Sequence, residues 1–100
     1  MTKKINLPCN GNGGNNSIKK EADTITFETS GNCTFTEFNF TGGTGNPYYP
    51  PGFSNKSPLD GVGKSVSYSY DGTAIKDKYT FGYDVKTPTM GNGSGTIKNG

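Results

Sequence analysis

Large rings and small polar residues alternate along the second half of the chain. One stretch there reads SVSYSY, and the next reads YTFGYDVK. Alternation with a period of two is typical of a β-strand that buries one face, because successive side chains of a strand point to opposite sides. The pattern predicts strands at Lys64–Tyr70 and Lys78–Lys86. Their buried faces are predicted to carry Val66, Tyr68, Tyr70, Tyr79, Phe81, Tyr83 and Val85.

Two turn signals predict how neighbouring strands are joined. Asp71-Gly72 opens the connection between the two tyrosine-rich strands, and an Asp-Gly pair is typical of a tight hairpin turn. Ser30-Gly31-Asn32 lies in the same way between predicted strands at Thr24–Thr29 and Cys33–Phe40. The sequence therefore predicts two antiparallel hairpins.

The strand predicted at Cys33–Phe40 changes phase in its middle. Phe35 is at an odd position, whereas Phe38 and Phe40 are at even ones. A β-bulge near Thr36–Glu37 would place all three rings on one face, because a bulge inserts one extra residue into a strand. Further strands are predicted at Lys3–Leu7 and Gly95–Lys98, with an additional one near Ser17–Lys20. The last strand is expected to pair in its own sheet or in that of a neighbouring molecule.

Helical periodicity is absent from the sequence, so the expected fold is all-β. Six or seven short strands in 100 residues predict a single domain over residues 1–100, a small immunoglobulin-like antiparallel β-sandwich. A small barrel or jelly roll is the alternative. Gly/Asn-rich segments near residues 10–16 and 91–95 are expected to be flexible connections. Only 28% of the residues are apolar and 12% are Phe or Tyr, so the core is expected to consist largely of rings.

The chain contains no histidine. This absence excludes Ser-His-Asp and Cys-His catalysis, and it excludes metal sites built on imidazole. Asp60, Asp71 and Asp77 have the chemistry of Ca²⁺ ligands, but the calcium-loop pattern is missing and they are predicted to be solvated turn residues. We therefore expect a protein that is not an enzyme and has no cofactor.

Charge and hydropathy exclude two classes of partner. Ten basic residues against eight acidic ones give a net charge of +2. All ten are lysines, and the lack of Arg argues against specific nucleic-acid recognition. No run of about 18 apolar residues is present, so no membrane span is predicted.

The two cysteines, Cys9 and Cys33, leave two alternatives open. They form one disulfide between the N-terminal segment and a strand, or they are two buried thiols.

The segment NPYYPPGF, residues 46–53, is the strongest candidate for a binding site. Its three prolines stiffen the backbone, so Tyr48, Tyr49 and Phe53 are predicted to be binding residues on a fixed loop. Such rings serve as a contact patch for a protein or as a stacking platform for a sugar; otherwise they cap the open end of the core. We expect a binding or assembly module, such as a structural or surface subunit, with a carbohydrate-binding domain as the alternative. A protein partner or self-association is favoured over a glycan.

Overall fold

The computed structural model describes residues 2–19, 21–29, 33–45, 48–54, 63–74, 79–88 and 91–99. The described chain forms eight strands and one 3₁₀ turn, at Gly72–Ala74. The strands are β1 (Thr2–Leu7), β2 (Gly11–Ile18), β3 (Thr24–Thr29), β4 (Glu37–Thr41), β5 (Phe53–Ser54), β6 (Ser65–Tyr70), β7 (Thr80–Thr87) and β8 (Gly91–Asn99).

These strands form two four-stranded sheets that pack face to face. The first sheet has the order β1-β3-β6-β5, and the second has the order β2-β8-β7-β4. The predicted β-sandwich is therefore confirmed, and the sheets do not close into the alternative barrel. The last strand, β8, pairs within its own chain, between β2 and β7.

The sheets are mixed, although the sequence predicted an antiparallel arrangement. β1 lies parallel to β3, and β2 lies parallel to β8. The chain leaves β1 through Pro8–Asn10 and enters the other sheet as β2. β1 and β2 are thus edge strands of different sheets, and neither pairs with the strand that follows it in the chain. Parallel pairing is possible because a long connection separates each of them from its partner.

Both predicted hairpins are wrong. β3 and β4 belong to different sheets, as do β6 and β7. β3 pairs instead with β6, and β4 pairs with β7. The described part of the Asp71–Asp77 connection forms the 3₁₀ turn and leads the chain from one sheet to the other. The predicted inward faces are nevertheless correct: Val66, Tyr68, Tyr70, Phe81, Tyr83 and Val85 are buried, and Tyr79 is half-buried.

The irregularity predicted near Thr36–Glu37 is present. Lys86 is the register partner of Glu37, and its carbonyl also accepts a hydrogen bond from the Thr36 N–H at 2.8 Å. Two residues of one strand therefore face one residue of the next, which is the arrangement of a β-bulge. All three rings of this segment are buried, as predicted: Phe35, Phe38 and Phe40.

The core is built from aromatic rings contributed by both sheets. Phe27 of the first sheet lies 4.7 Å from Phe38 and 5.6 Å from Phe40 of the second, measured between ring centroids. On its own sheet it contacts Tyr68 edge to face at 5.9 Å. Such pairs add about 0.5–1.5 kcal/mol beyond the area that they bury. The rings therefore supply the apolar volume that this composition otherwise lacks.

The Gly/Asn-rich segments near residues 10–16 and 91–95 lie in β2 and β8, where the sequence predicted flexible connections. Their glycines leave room for a ring. A Cβ atom at Gly95 would lie 2.3 Å from the hydroxyl oxygen of Tyr83, and one at Gly13 would lie 2.5 Å from it. Because glycine has no side chain, these strands show no alternation of apolar and polar residues in the sequence. The ring of Tyr83 nevertheless requires glycine at positions 13 and 95, because it occupies the space of a side chain there.

A disulfide joins Cys9 to Cys33 across 24 positions of sequence. It connects the turn after β1 to the segment that enters β4. Of the two alternatives for these cysteines, the bridge is the one that the structure contains.

Candidate binding surface

Most of the tyrosines lie at one end of the sandwich, on strand ends and on the connections between strands. β6 ends there at Tyr70, β7 begins there after Tyr79, and β5 begins there at Phe53. We call the surface formed by residues 48–54, 71–74 and Tyr79 the tyrosine end.

The backbone of residues 50–53 is held by hydrogen bonds. The N–H of Phe53 donates to the carbonyl of Pro50 at 3.0 Å, and the N–H of Asp71 donates to the carbonyl of Gly52 at 2.8 Å. The hydroxyl of Tyr79 donates to the carbonyl of Pro51. With two prolines in the same four residues, this segment has little conformational freedom to lose on binding.

The three rings predicted as binding residues occupy three different environments. Tyr49 is 41% exposed and is the one large apolar side chain classed as exposed in the described part of the chain. Tyr48 is half-buried and packs against the core. Phe53 is only 6% exposed and contacts Tyr70 and Phe40, both with ring centroids 5.0 Å away. Phe53 is therefore a core residue, and its assignment to the contact surface is corrected.

Tyr48 is positioned by a glycine on the same connection. A Cβ atom at Gly43 would lie 2.0 Å from Cε1 of the Tyr48 ring. The ring thus lies flat against the backbone at Gly43, and no other residue type leaves that space free. Tyr49 in turn contacts the ring of Tyr68 edge to face, with centroids 6.3 Å apart.

The hydroxyls of Tyr68 and Tyr79 have a raised pKa. Burial raises the pKa of Tyr68, and the neighbouring Tyr49 raises it further. Burial also raises the pKa of Tyr79, with smaller effects from Tyr70 and Tyr48. At neutral pH these groups act as hydrogen-bond donors and acceptors and not as phenolate bases or nucleophiles.

Carboxylates contribute little to this surface. The Oδ1 atom of Asp71 accepts hydrogen bonds from the N–H of Thr73 at 3.0 Å and from its hydroxyl at 2.6 Å. Asp71 is thus a turn residue, as predicted, while Asp60 and Asp77 lie outside the described residues. In the seven ranges that the structure describes, no group of three acidic or sulfur side chains is placed to hold a metal ion.

Sequence reasoning missed the contribution of Tyr79. Its position in the alternation assigned it to the core, and it does pack on Phe81 with centroids 5.6 Å apart. Its hydroxyl, however, fixes the proline segment through Pro51. The position of Tyr79 at the start of a strand could have indicated this role, because the inward face of a sandwich reaches solvent at the strand ends.

No protein family model, curated protein or solved structure matches the chain significantly. Among the described residues there is also no helix with the length and apolar character needed to cross a membrane.

Proposed function

We propose that this protein is a non-enzymatic binding module that contacts a protein partner through the tyrosine end. The observation that carries the proposal is the exposed ring of Tyr49 directly before residues 50–53, a segment that hydrogen bonds hold in place. An exposed aromatic side chain on a rigid support binds at a low entropic cost, because neither the backbone nor a long side chain has to be ordered.

The composition around Tyr49 supports a protein-binding role. The chain from residue 42 to residue 54 contains two tyrosines and the buried Phe53 among glycine, serine, threonine, asparagine and proline, with no charged residue. Protein-binding loops combine tyrosine anchors with small adaptable polar residues in the same way, and charged residues are depleted at the centres of interfaces.

The burial of Phe53 favours a protein partner over a glycan. The sugar platform predicted from the sequence used three rings side by side. With Phe53 in the core and Tyr48 half-buried, Tyr49 is the ring that remains exposed, which suits a single anchor residue in an interface.

We also propose that the sandwich is of immunoglobulin-like type. With β2 set aside and the other strands lettered A to G in chain order, the first sheet reads A-B-E-D and the second reads G-F-C. This is the strand order of an immunoglobulin constant-type domain. The parallel pairing of β1 with β3 is a departure from that pattern.

A peptide phage-display selection tests the binding role. The folded protein is used as bait, and each enriched peptide is measured against the wild type, Tyr49→Ala and the control Asn39→Ala. Asn39 is exposed on the outward face of β4, away from the tyrosine end. We expect binding that is lost in Tyr49→Ala and retained in Asn39→Ala, since truncation of an aromatic anchor typically costs about 2 kcal/mol or more.

Stability measurements accompany the selection. Tyr49→Ala should lose much less stability than Phe53→Ala, because 41% of Tyr49 is exposed, whereas Phe53→Ala should lose about 3–5 kcal/mol. Peptides that bind Tyr49→Ala as well as the wild type would contradict the proposal. Binding on a glycan array that requires Tyr49, with no enriched peptide, would support the carbohydrate alternative instead. Sedimentation that shows association of wild type but not of Tyr49→Ala would identify the partner as a second copy.

A further inference from the structure

A small pocket opens at a corner of the sandwich, between the start of β1 and the end of β2. Its volume is about 210 Å³, and it is lined by Thr2, Lys3, Ser17, Lys19 and Ala22. We call it the corner pocket. Sequence reasoning did not identify it.

The strand alternation places one of its lysines. Ile5 and Leu7 of β1 are buried and face the core. Lys3 has the same phase, so it continues the inward face at the point where the core ends and the sandwich opens to solvent. Lys3 therefore lines the mouth of the space between the sheets.

The connection from β2 to β3 supplies the opposite wall. Ile18 is the last residue of β2 and is buried, and exposed Lys19 follows it. The N–H of Ala22 donates to the carbonyl of Lys19 at 3.2 Å. This turn brings Ala22, which is 4% exposed and belongs to the core, beneath the pocket as an apolar floor.

The two lysines of the pocket form no ion pair among the described residues, and Glu21 and Asp23, which flank Ala22 in the sequence, do not line it. Lys4 and Lys86 form ion pairs, at 3.9 Å with Glu28 and at 3.4 Å with Glu37. Across the described ranges, neither Lys3 nor Lys19 has such a partner, and no acidic residue lines the pocket. The lining therefore includes two lysines, a serine and a threonine, and this set of donors attracts an anion.

The size of the pocket restricts that anion. Sites for drug-sized ligands and cofactors measure about 300–1,000 Å³, so a volume of about 210 Å³ suits a group the size of one side chain. The larger part of the wall is apolar, with Ala22 as its floor. An acidic side chain brings methylene groups together with its carboxylate and fits this wall better than an inorganic anion does.

We infer that the corner pocket binds the carboxylate of an acidic side chain on the protein partner. This inference rests on the proposed function and specifies its partner. The pocket and the tyrosine end lie at the same end of the first sheet, because β1 and β3 begin where β6 ends. The sheet has four strands there, so about 14 Å separates its two edges at normal strand spacing. One interface of ordinary size covers both sites.

The test is a titration of the ¹⁵N-labelled protein with blocked glutamate (N-acetyl-glutamate N-methylamide), followed by amide chemical shifts. Blocked glutamine is the neutral, isosteric comparison. We expect blocked glutamate, but not blocked glutamine, to shift the amide signals of the corner pocket. Added salt should weaken the binding of blocked glutamate. The variant Lys3→Gln plus Lys19→Gln should bind roughly three- to tenfold more weakly, as expected for exposed charges.

Lys86→Gln is the control for a lysine outside the pocket, since it removes one positive charge at the opposite end of β7; its affinity should equal that of the wild type. Equal shifts with blocked glutamine, or an equal loss in Lys86→Gln, would overturn the inference. Tighter binding of glucuronate or inorganic phosphate at the same amides would also overturn it, because the ligand would then be of another class. Tyr49→Ala should leave the titration unchanged, so failure of the aromatic contact and failure of this pocket are separate results.

Discussion

At the scale of single residues, Tyr83 best shows how this sequence specifies its core. Its side chain is 0% exposed, and its hydroxyl has no hydrogen-bond partner within the residues that the structure describes. The hydroxyl lies over Gly13 and Gly95, where a Cβ atom would be 2.5 Å and 2.3 Å from it. The ring therefore stabilises the core by packing, while the buried hydroxyl opposes that effect.

Removal of this hydroxyl should stabilise the protein. We expect Tyr83→Phe to increase the free energy of unfolding by about 1 kcal/mol, because it deletes a buried polar group without deleting the ring. Urea unfolding followed by fluorescence measures the change. A loss of stability of that size would show that the hydroxyl has a partner and would contradict the packing described for β2 and β8.

Gly13 is expected to be intolerant of a methyl group for the same reason. Gly13→Ala should cost about 1–3 kcal/mol through overpacking against Tyr83 and Pro8. In Gly13→Ala plus Tyr83→Phe, part of that cost should be recovered, because the atom nearest to the new Cβ is the Tyr83 oxygen. A double-mutant cycle with no coupling between the two positions would contradict this contact.

At the scale of secondary-structure elements, the disulfide compensates for the small apolar content. It closes a loop across 24 positions of sequence, and a loop of that length corresponds to about 3 kcal/mol of stabilisation. Cys9→Ala plus Cys33→Ala should lose about that amount in urea unfolding, and reduction of the wild type should have the same effect. An unchanged midpoint under both conditions would contradict this role.

The strands themselves could be predicted where side chains alternate. β3 has the predicted bounds, and β6 and β7 differ from prediction by one or two residues at an end. β5 was missed because a strand of two residues is too short to show a period. The strand predicted near Ser17–Lys20 covers only the end of β2, and the rest of β2 and the first half of β8 were missed because glycine carries no side chain.

The pairing of strands could not be predicted in this way. Asp71-Gly72 indicates a turn, and a turn is present, but the chain then enters the opposite sheet. The alternation of β7 buries the same face in either sheet, so a local pattern does not distinguish a hairpin from a crossover. The candidate site could likewise be predicted only in part. The proline-rich loop was evident in the sequence, but the inward direction of Phe53 depends on its pairing with Tyr70, which the sequence does not show.

At the scale of the whole molecule, the buried tyrosines make stability sensitive to high pH. Burial raises the pKa of Tyr68, Tyr79 and Tyr83 above the ordinary value, which is about 10 in an unfolded chain. The folded state therefore keeps protons that the unfolded state releases. The stabilisation is complete below pH about 10 and is lost as the pH rises from there towards the raised values.

We expect the free energy of unfolding to be nearly constant between pH about 7 and 9 and to fall steeply above pH about 10. Urea unfolding at a series of pH values measures it. Tyr68→Phe is the control, because removal of one buried phenol should make the decline shallower. Exposed lysine pairs contribute little to the slope. A curve that stays level to pH about 12 in the wild type would contradict the burial of these hydroxyls.

The whole molecule presents two features at one end: the exposed ring of Tyr49 and a pocket lined by two lysines. Together they describe a partner with a recess for Tyr49 and an acidic side chain about one sheet width away. Both outward faces of the sandwich, in contrast, carry polar side chains at the alternate positions of their strands.

The most direct test of the proposed role is the binding site of a peptide from the phage selection, mapped by amide chemical shifts on the ¹⁵N-labelled protein. We expect the largest shifts to fall on residues 48–54, 71–74 and 79, and to vanish in Tyr49→Ala. Shifts centred on the outward face of either sheet, and unchanged in that variant, would show that the tyrosine end is not the contact surface.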